Sequence, residues 1–111
     1  GRGVSENQEE AAKWYEKAAE NGYINAMNEI GYRYDTGKGV AQDYAKAFGW
    51  YKKGAESGQV TAMYNVALYY KNGRGVSENQ SEAAKWYEKA AESGDSAAMN
   101  TIGYRYDEGR R

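Results

Sequence analysis

Cysteine, histidine and proline are all missing from the 111 residues of this chain. Without cysteine there is no disulfide, no thiolate metal site and no cysteine nucleophile. Without histidine the most frequent general acid and base is gone as well. Any hydrolytic chemistry would have to be assembled from carboxylates, lysine, serine and tyrosine. The expectation is therefore a protein with no catalytic residues, no metal and no cofactor. An excess of charge of one sign is also lacking: fifteen basic residues against sixteen acidic ones leave a formal charge of −1. That removes the basic footprint of a nucleic-acid binder. No stretch approaches the roughly eighteen apolar residues of a membrane span. No charged-then-apolar signal pattern opens the chain, so it reads as soluble. Nor does a methionine stand first, as in a processed, trimmed or engineered chain.

What is present is aromatic: twelve tyrosines and three tryptophans, at fixed spacings. Laid against itself at 36 residues, the chain aligns Trp14, Trp50 and Trp86, then Tyr15, Tyr51 and Tyr87, then Gly22, Gly58 and Gly94. Ala26, Ala62 and Ala98 follow, with Met27, Met63 and Met99, and finally Tyr34, Tyr70 and Tyr106. Between residues 1–36 and 73–108 only seven positions differ, whereas residues 37–72 share 13 with the first unit. One domain of three units, 1–36, 37–72 and 73–108, is expected. A period of this length without strand-like alternation predicts an all-α superhelix, a solenoid of stacked antiparallel helix hairpins.

Within a unit, Asn7, Asp43 and Asn79 are placed to cap a first helix, with Glu10 and Glu82 three residues on as capping-box partners. Ala11, Trp14, Tyr15, Ala18 and Ala19 keep the spacing of one apolar helix face. Gly22 and its equivalents end that helix, and a second runs from about residue 24 to 35. Gly31 and Gly103 allow a neighbouring helix to come close. Gly49 and Gly54 replace lysine and alanine in the middle unit, predicting a weaker helix there. The stretch "DTGKGV", residues 35–40, has the look of a phosphate loop, but Lys38 is followed by Gly39 where a hydroxyl is needed. It also recurs as "NGRGV" at 72–76. A turn that links repeats explains the recurrence: Gly37 and Gly73 stop the second helix, Gly39 and Gly75 continue the turn, and Val40 and Val76 tuck inward.

The unit "AMNEIGYRYDTGKGVAQDYAKAFGWYKKGAESG" resembles the Sel-one-like repeat, a relative of the tetratricopeptide repeat. Ile30-Gly31, Tyr34, Gly-x-Gly-Val, Asp43, Lys46-Ala47, Trp50-Tyr51 and the terminal Ala-x-x-Gly carry the likeness, which extends over essentially the whole chain. Val66-Ala67 departs from it. The tetratricopeptide unit proper is shorter and closes with proline, which this chain lacks. The resemblance implies a right-handed superhelix that acts as an adaptor for other proteins. Some bacterial members are cysteine-rich, with a disulfide closing each repeat, and this chain does not resemble that branch.

Trp14, Trp50, Trp86, Tyr34, Tyr70 and Tyr106 recur at buried helical positions and read as inter-helix core rather than as a platform for bases or sugars. Glu9, Glu10 and Glu82 sit on first helical turns, where the dipole favours them, rather than flanking a cleft as glycosidase carboxylates do. Lys52-Lys53 is too short a basic run for nucleic acid. An RNA-reading helical repeat would need a basic groove. Tyr32 and Tyr104 fall off the apolar face, with Asn28 and Asn100 one turn earlier, and Tyr64 and Leu68 occupy the two slots in the middle unit. In related solenoids such residues form a ladder on the concave face. The expected contact set for a protein or peptide partner is Asn28, Tyr32, Tyr64, Leu68, Asn100 and Tyr104, rimmed by Asp35, Lys71 and Asp107. The alternative is an engineered or fragmentary repeat array without ligand. The last helix repeats Met99, Ile102 and Tyr106 as though another unit should follow, so end-to-end stacking into a homo-oligomer is expected too.

Overall fold

The structure is a computed structural model and describes residues 2–94 and 99–103. Five helices follow one another: α1 (Arg2–Glu20), α2 (Ile24–Thr36), α3 (Tyr44–Glu56), α4 (Val60–Asn72) and α5 (Gln80–Glu92). Residues 99–103 are helical again, and no strand occurs among the described residues. Each helix packs on its neighbours in sequence, α1 on α2 and so on to α4 on α5. Packing that is mostly between adjacent elements builds a rod, here 54 × 23 × 23 Å, which is the expected all-α solenoid of antiparallel helix pairs.

The ends of the helices follow from single residues. The Asp43 carboxylate accepts the Lys46 amide at 3.1 Å, and the Asn79 side chain accepts the Glu82 amide at 3.0 Å, satisfying donors the helix leaves free. The return arm of the capping box is not made. Glu82 holds Lys85 at 3.1 Å instead, and the Asn79 amide donates to the Tyr70 carbonyl at 2.9 Å. Gly37 and Gly73 close α2 and α4, their amides on the carbonyls of Arg33 and Tyr69. Gly39 and Gly75 are fixed by space as well as by positive φ. A Cβ on Gly39 would stand 2.1 Å from the Gln8 carbonyl oxygen, and one on Gly75 2.4 Å from that of Tyr44. The linking turn therefore lies directly on an earlier helix, at Gln8 within α1 and at Tyr44 on the first turn of α3, and Val40 and Val76 beside it pack on the core.

Asn7 does not cap a helix. It lies inside α1, because "GRGVSENQ" is helical over residues 2–8 and a link plus helix start over residues 73–80. At 73–80 the link depends on α4, which Gly73 terminates, and on Tyr44, which Gly75 overlies. Residues 2–8 have no described helix ahead of them to supply those contacts. The same residues take the conformation their surroundings permit.

The core shows why one apolar face was too simple for the first helix of each unit. In α3, Tyr51 turns to α2, its ring lying where a Cβ on Gly31 would be 2.8 Å away. Gly54 sits between α2 and α4, a Cβ there being 3.7 Å from that of Met27 and 3.3 Å from that of Ala62. Phe48 turns the other way, its ring 5.2 Å from that of Tyr70 on α4. Two faces are buried, one toward each flanking helix. In α5 the first face again meets the helix before it, with Tyr87 5.5 Å from Tyr64. In α1 only the face toward α2 is covered, and Ala12 and Ala19 are its buried residues. Trp14 is consequently 63% exposed and Tyr15 also exposed, while Trp86 is 8% exposed. Trp50 is half-buried. Each indole carries an ammonium over its ring from the lysine three residues on, at 5.1, 5.0 and 4.7 Å for Lys17, Lys53 and Lys89. The tryptophans thus flank the core instead of forming it throughout. Tyr34 and Tyr70 are buried as expected, and Tyr106 lies outside the described residues.

No helix among the described residues is long and apolar enough to cross a membrane. α3 runs the same thirteen residues as α5 despite its two glycines. Gly54 fills a crossing where a Cβ would lie 3.3 Å from that of Ala62, whereas Gly49 faces open space. Gly49→Ala should therefore stabilise the protein by about 1 kcal/mol in urea unfolding. Gly75→Ala should cost more than the ~1–2 kcal/mol of a left-handed residue alone, because the added carbon also overlaps the Tyr44 carbonyl. Gly58→Ala, with positive φ and no neighbour within 4 Å, supplies the reference for backbone strain alone.

Candidate functional site

α2 and α4 lie side by side and enclose an open hollow of about 400 Å³. Asn28 and Glu29, then Tyr32 and Asp35, follow one edge of α2 at successive turns and form one wall. Thr61, Asn65 and Leu68 on α4 form the other, with Tyr51 and Tyr69 beneath and Arg74 at one end. The walls are tied by amides, Asn65 Nδ2 donating to Asn28 Oδ1 at 3.3 Å. At the Arg74 end, the Tyr69 hydroxyl donates to Asp35 Oδ1 in a short hydrogen bond. Arg74 Nη1 stands 3.8 Å from the same oxygen. Its guanidinium lies over the rings of Tyr44, at 4.8 Å, and Tyr69, at 5.8 Å, which fixes its plane.

Four of the nine expected contact residues come together here. Tyr32 is 48% exposed on one wall, Asn28 and Asp35 are half-buried beside it, and Leu68 stands opposite. Tyr64 and Lys71 are on α4 but do not line this hollow. Tyr64 is half-buried against Tyr87, and Lys71 is exposed. They occupy the slots in α4 that Asn28 and Asp35 occupy in α2, the edge that turns to the following second-type helix. Asn100 is exposed in the helical segment 99–103. Tyr104 and Asp107 lie outside the described residues.

Sequence reasoning missed Arg33, which is 6% exposed. Its Nε donates to Glu29 Oε2 at 3.2 Å, and its Nη1 donates to Gln8 Oε1 at 3.0 Å and to the carbonyls of Lys38 and Gln8 at 3.3 and 3.4 Å. The guanidinium also covers the Tyr15 ring at 5.0 Å. It pins α2, the link after it and α1 at once, as a satisfied buried guanidinium does. In the middle unit Tyr69 holds the equivalent place and reaches Asp35 instead. The only signal was the exchange of arginine for tyrosine between "YRY" at 32–34 and "LYY" at 68–70.

With this geometry in view, a model of the Sel1 repeat matches residues 1–23, 24–59 and 60–95. The chain belongs to the Sel1 repeat family. Its units run from one second-type helix to the next, so each of the complete matches joins α2 to α3 and α4 to α5. Among solved structures it resembles c5321, a protective antigen of uropathogenic Escherichia coli with an SLR fold, at 36% identity and a TM-score of 0.87. It resembles a Sel1 repeat protein from Oxalobacter formigenes at 39% identity and a TM-score of 0.85. Both alignments cover 91% of this chain but only 22% and 42% of those proteins. Helicobacter pylori cysteine rich protein B matches at 28% identity and a TM-score of 0.77, over 81% of this chain and 68% of that one. The fold is thus shared with a cysteine-rich member, although this chain has no cysteine to close its repeats. No curated protein matches the sequence. Sel1 repeats form non-enzymatic scaffolds, and the fold commonly mediates protein–protein interaction.

Three tyrosines hold their protons, Tyr51 and Tyr69 in the hollow and Tyr34 against α1. Burial, then the hydrogen bond to Glu16 at 3.0 Å, pushes Tyr34 up to about 12. Burial lifts Tyr51 further, helped by Asp35. Burial and the bond to Asp35 do the same for Tyr69, with Arg74 pulling the other way. In the unfolded chain tyrosine ionises near pH ~10. Above that pH the folded state binds more protons than the unfolded one, so stability should fall as pH rises from about 10. Phenolate absorbance should show these three lagging the ordinary tyrosine titration until the helical signal is lost. Tyr69→Phe should remove one of the laggards.

Proposed function

We propose that this protein is a non-catalytic adaptor whose groove between α2 and α4 receives an extended segment of another polypeptide. The observation that carries the reading is the hollow itself, with its Asn28–Asn65 amide pair between an exposed Tyr32 and a half-buried Leu68. Side-chain amides offer donors and acceptors at the spacing of main-chain groups, while tyrosine and leucine supply apolar contact at small entropic cost. Asn100 exposes the same chemistry one unit further on, and Tyr104 and Asp107 extend the ladder in sequence. Tyr64 and Lys71 belong to the edge that continues this surface beyond α4.

Tyr32→Ser with Leu68→Ser should abolish peptide binding, read by fluorescence anisotropy, and leave the far-ultraviolet circular dichroism unchanged. Binding that survives the double change would remove the groove from the function. Tyr64→Ser is the contrasting variant: it takes away the ring packed on Tyr87 and should lower thermal stability.

A second reading rests on α1, whose Trp14 and Tyr15 are exposed where Trp86 and Tyr87 of the near-identical α5 are buried. A helix of the α4 kind from another copy, laid on α1 as α4 lies on α5, would cover them and extend the rod by end-to-end stacking. Light scattering over a concentration series should show mass rising with concentration, and Trp14→Glu with Tyr15→Glu should hold the protein at one mass. A constant mass for the unchanged protein would remove this second reading and leave the groove as the adaptor surface.

A further inference from the structure

The carboxylates of the hollow are incompletely matched by the cations around them. Glu29 gives one oxygen, Oε2, to Arg33. Arg33 is buried and already engaged with Gln8 and the Lys38 carbonyl. Asp35 places both of its contacts, Tyr69 and Arg74, on Oδ1. Its Oδ2 has no hydrogen-bond partner among the described residues. The Arg74 contact is long, at 3.8 Å, and that guanidinium is held over two tyrosine rings.

A separate observation lies beneath these groups. Tyr51 is 4% exposed and lines the floor, packed through its ring on Gly31 and Tyr69. Yet its hydroxyl makes no hydrogen bond to any described residue. The ring is buried, while the hydroxyl oxygen opens on the hollow. It lies within the field of Asp35 and Glu29, which help to hold its proton in place. A neutral hydroxyl offers two lone pairs.

We propose that the hollow between α2 and α4 takes a lysine or arginine side chain from the partner polypeptide. Its cation sits against Asp35 and Glu29 with the Tyr51 hydroxyl as a further acceptor, and its alkyl stem lies between Tyr32 and Leu68. The proposal rests on the groove being a polypeptide-binding surface and specifies which residue the partner brings there. An acidic side chain would meet two carboxylates and find only Arg74 in compensation. An aliphatic one would leave the Tyr51 hydroxyl and Asp35 Oδ2 unsatisfied, which is costly. A cation with an apolar stem satisfies all of them, and Arg74 becomes its competitor for Asp35.

The test uses fluorescein-labelled nonapeptide sublibraries that are random except for a fixed central Arg, Lys, Glu or Leu, titrated into the whole protein by anisotropy. The Arg and Lys pools should bind about tenfold more tightly than the Glu and Leu pools, a margin that shrinks with salt. Asp35→Asn and Tyr51→Phe should each erode it, and Arg74→Ala should widen it. That opposite sign is one a merely destabilised fold would not give. If Asp35→Asn unfolds the protein, Tyr51→Phe and Arg74→Ala still decide, since the first removes no charge and the second leaves Asp35 its hydrogen bond from Tyr69. Equal binding of all four pools, abolished by Tyr32→Ser with Leu68→Ser, would overturn the basic-residue proposal and leave the groove reading intact. A basic preference untouched by Tyr51→Phe and Arg74→Ala would also overturn it. Absence of binding by every pool would overturn both.

Discussion

The arrangement depends on how closely each linking turn approaches the helix beneath it. Gly39 rests on the carbonyl of Gln8, and Gly75 on that of Tyr44, at separations that leave no room for a side chain. That contact sets where the next helix starts, since the cap residues Asp43 and Asn79 follow four positions later. It thereby sets the offset between α2 and α4, the two helices that wall the groove. Arg33 reinforces it in the first unit, tying Gln8 and the Lys38 carbonyl to α2. In a chain with no disulfide to hold one unit against the next, these approaches of backbone and buried guanidinium take that role.

Much of the fold was legible because it is local. The 36-residue period, the caps at Asp43 and Asn79, and the glycines that end helices are properties of a few adjacent residues. The local backbone decides them. Failures came where burial depends on something distant. Asn7 has the same neighbours in sequence as Asn79 and a different structure, because the link needs a helix before it. Trp14 has the same neighbours as Trp86 and a different exposure. Arg33 is buried by Gln8, 25 positions away, and nothing within its own helix announces it.

The groove was half legible for a geometric reason. Aligning repeats collects residues in the same slot of successive helices, which is how Asn28 was grouped with Tyr64 and Asp35 with Lys71. A groove between two parallel neighbours is built otherwise, from the leading edge of one helix and the trailing edge of the next. Asn28 therefore meets Asn65, and Asp35 meets Tyr69, pairs that do not share a slot. Tyr51 escaped notice because its ring is core, and only its hydroxyl belongs to the site.

The octapeptide that is helix at one end of the rod and link near the other bears on how such arrays change length. Its own residues do not fix its shape, so a helix packed ahead of it, as α4 is packed ahead of residues 73–80, would turn the start of α1 into an ordinary connector without altering a residue. Recombination between near-identical units then conserves structure at the seam automatically. Lineages can lengthen or shorten the binding surface in steps of one groove, and each groove can vary its own charges independently of the scaffold that carries it.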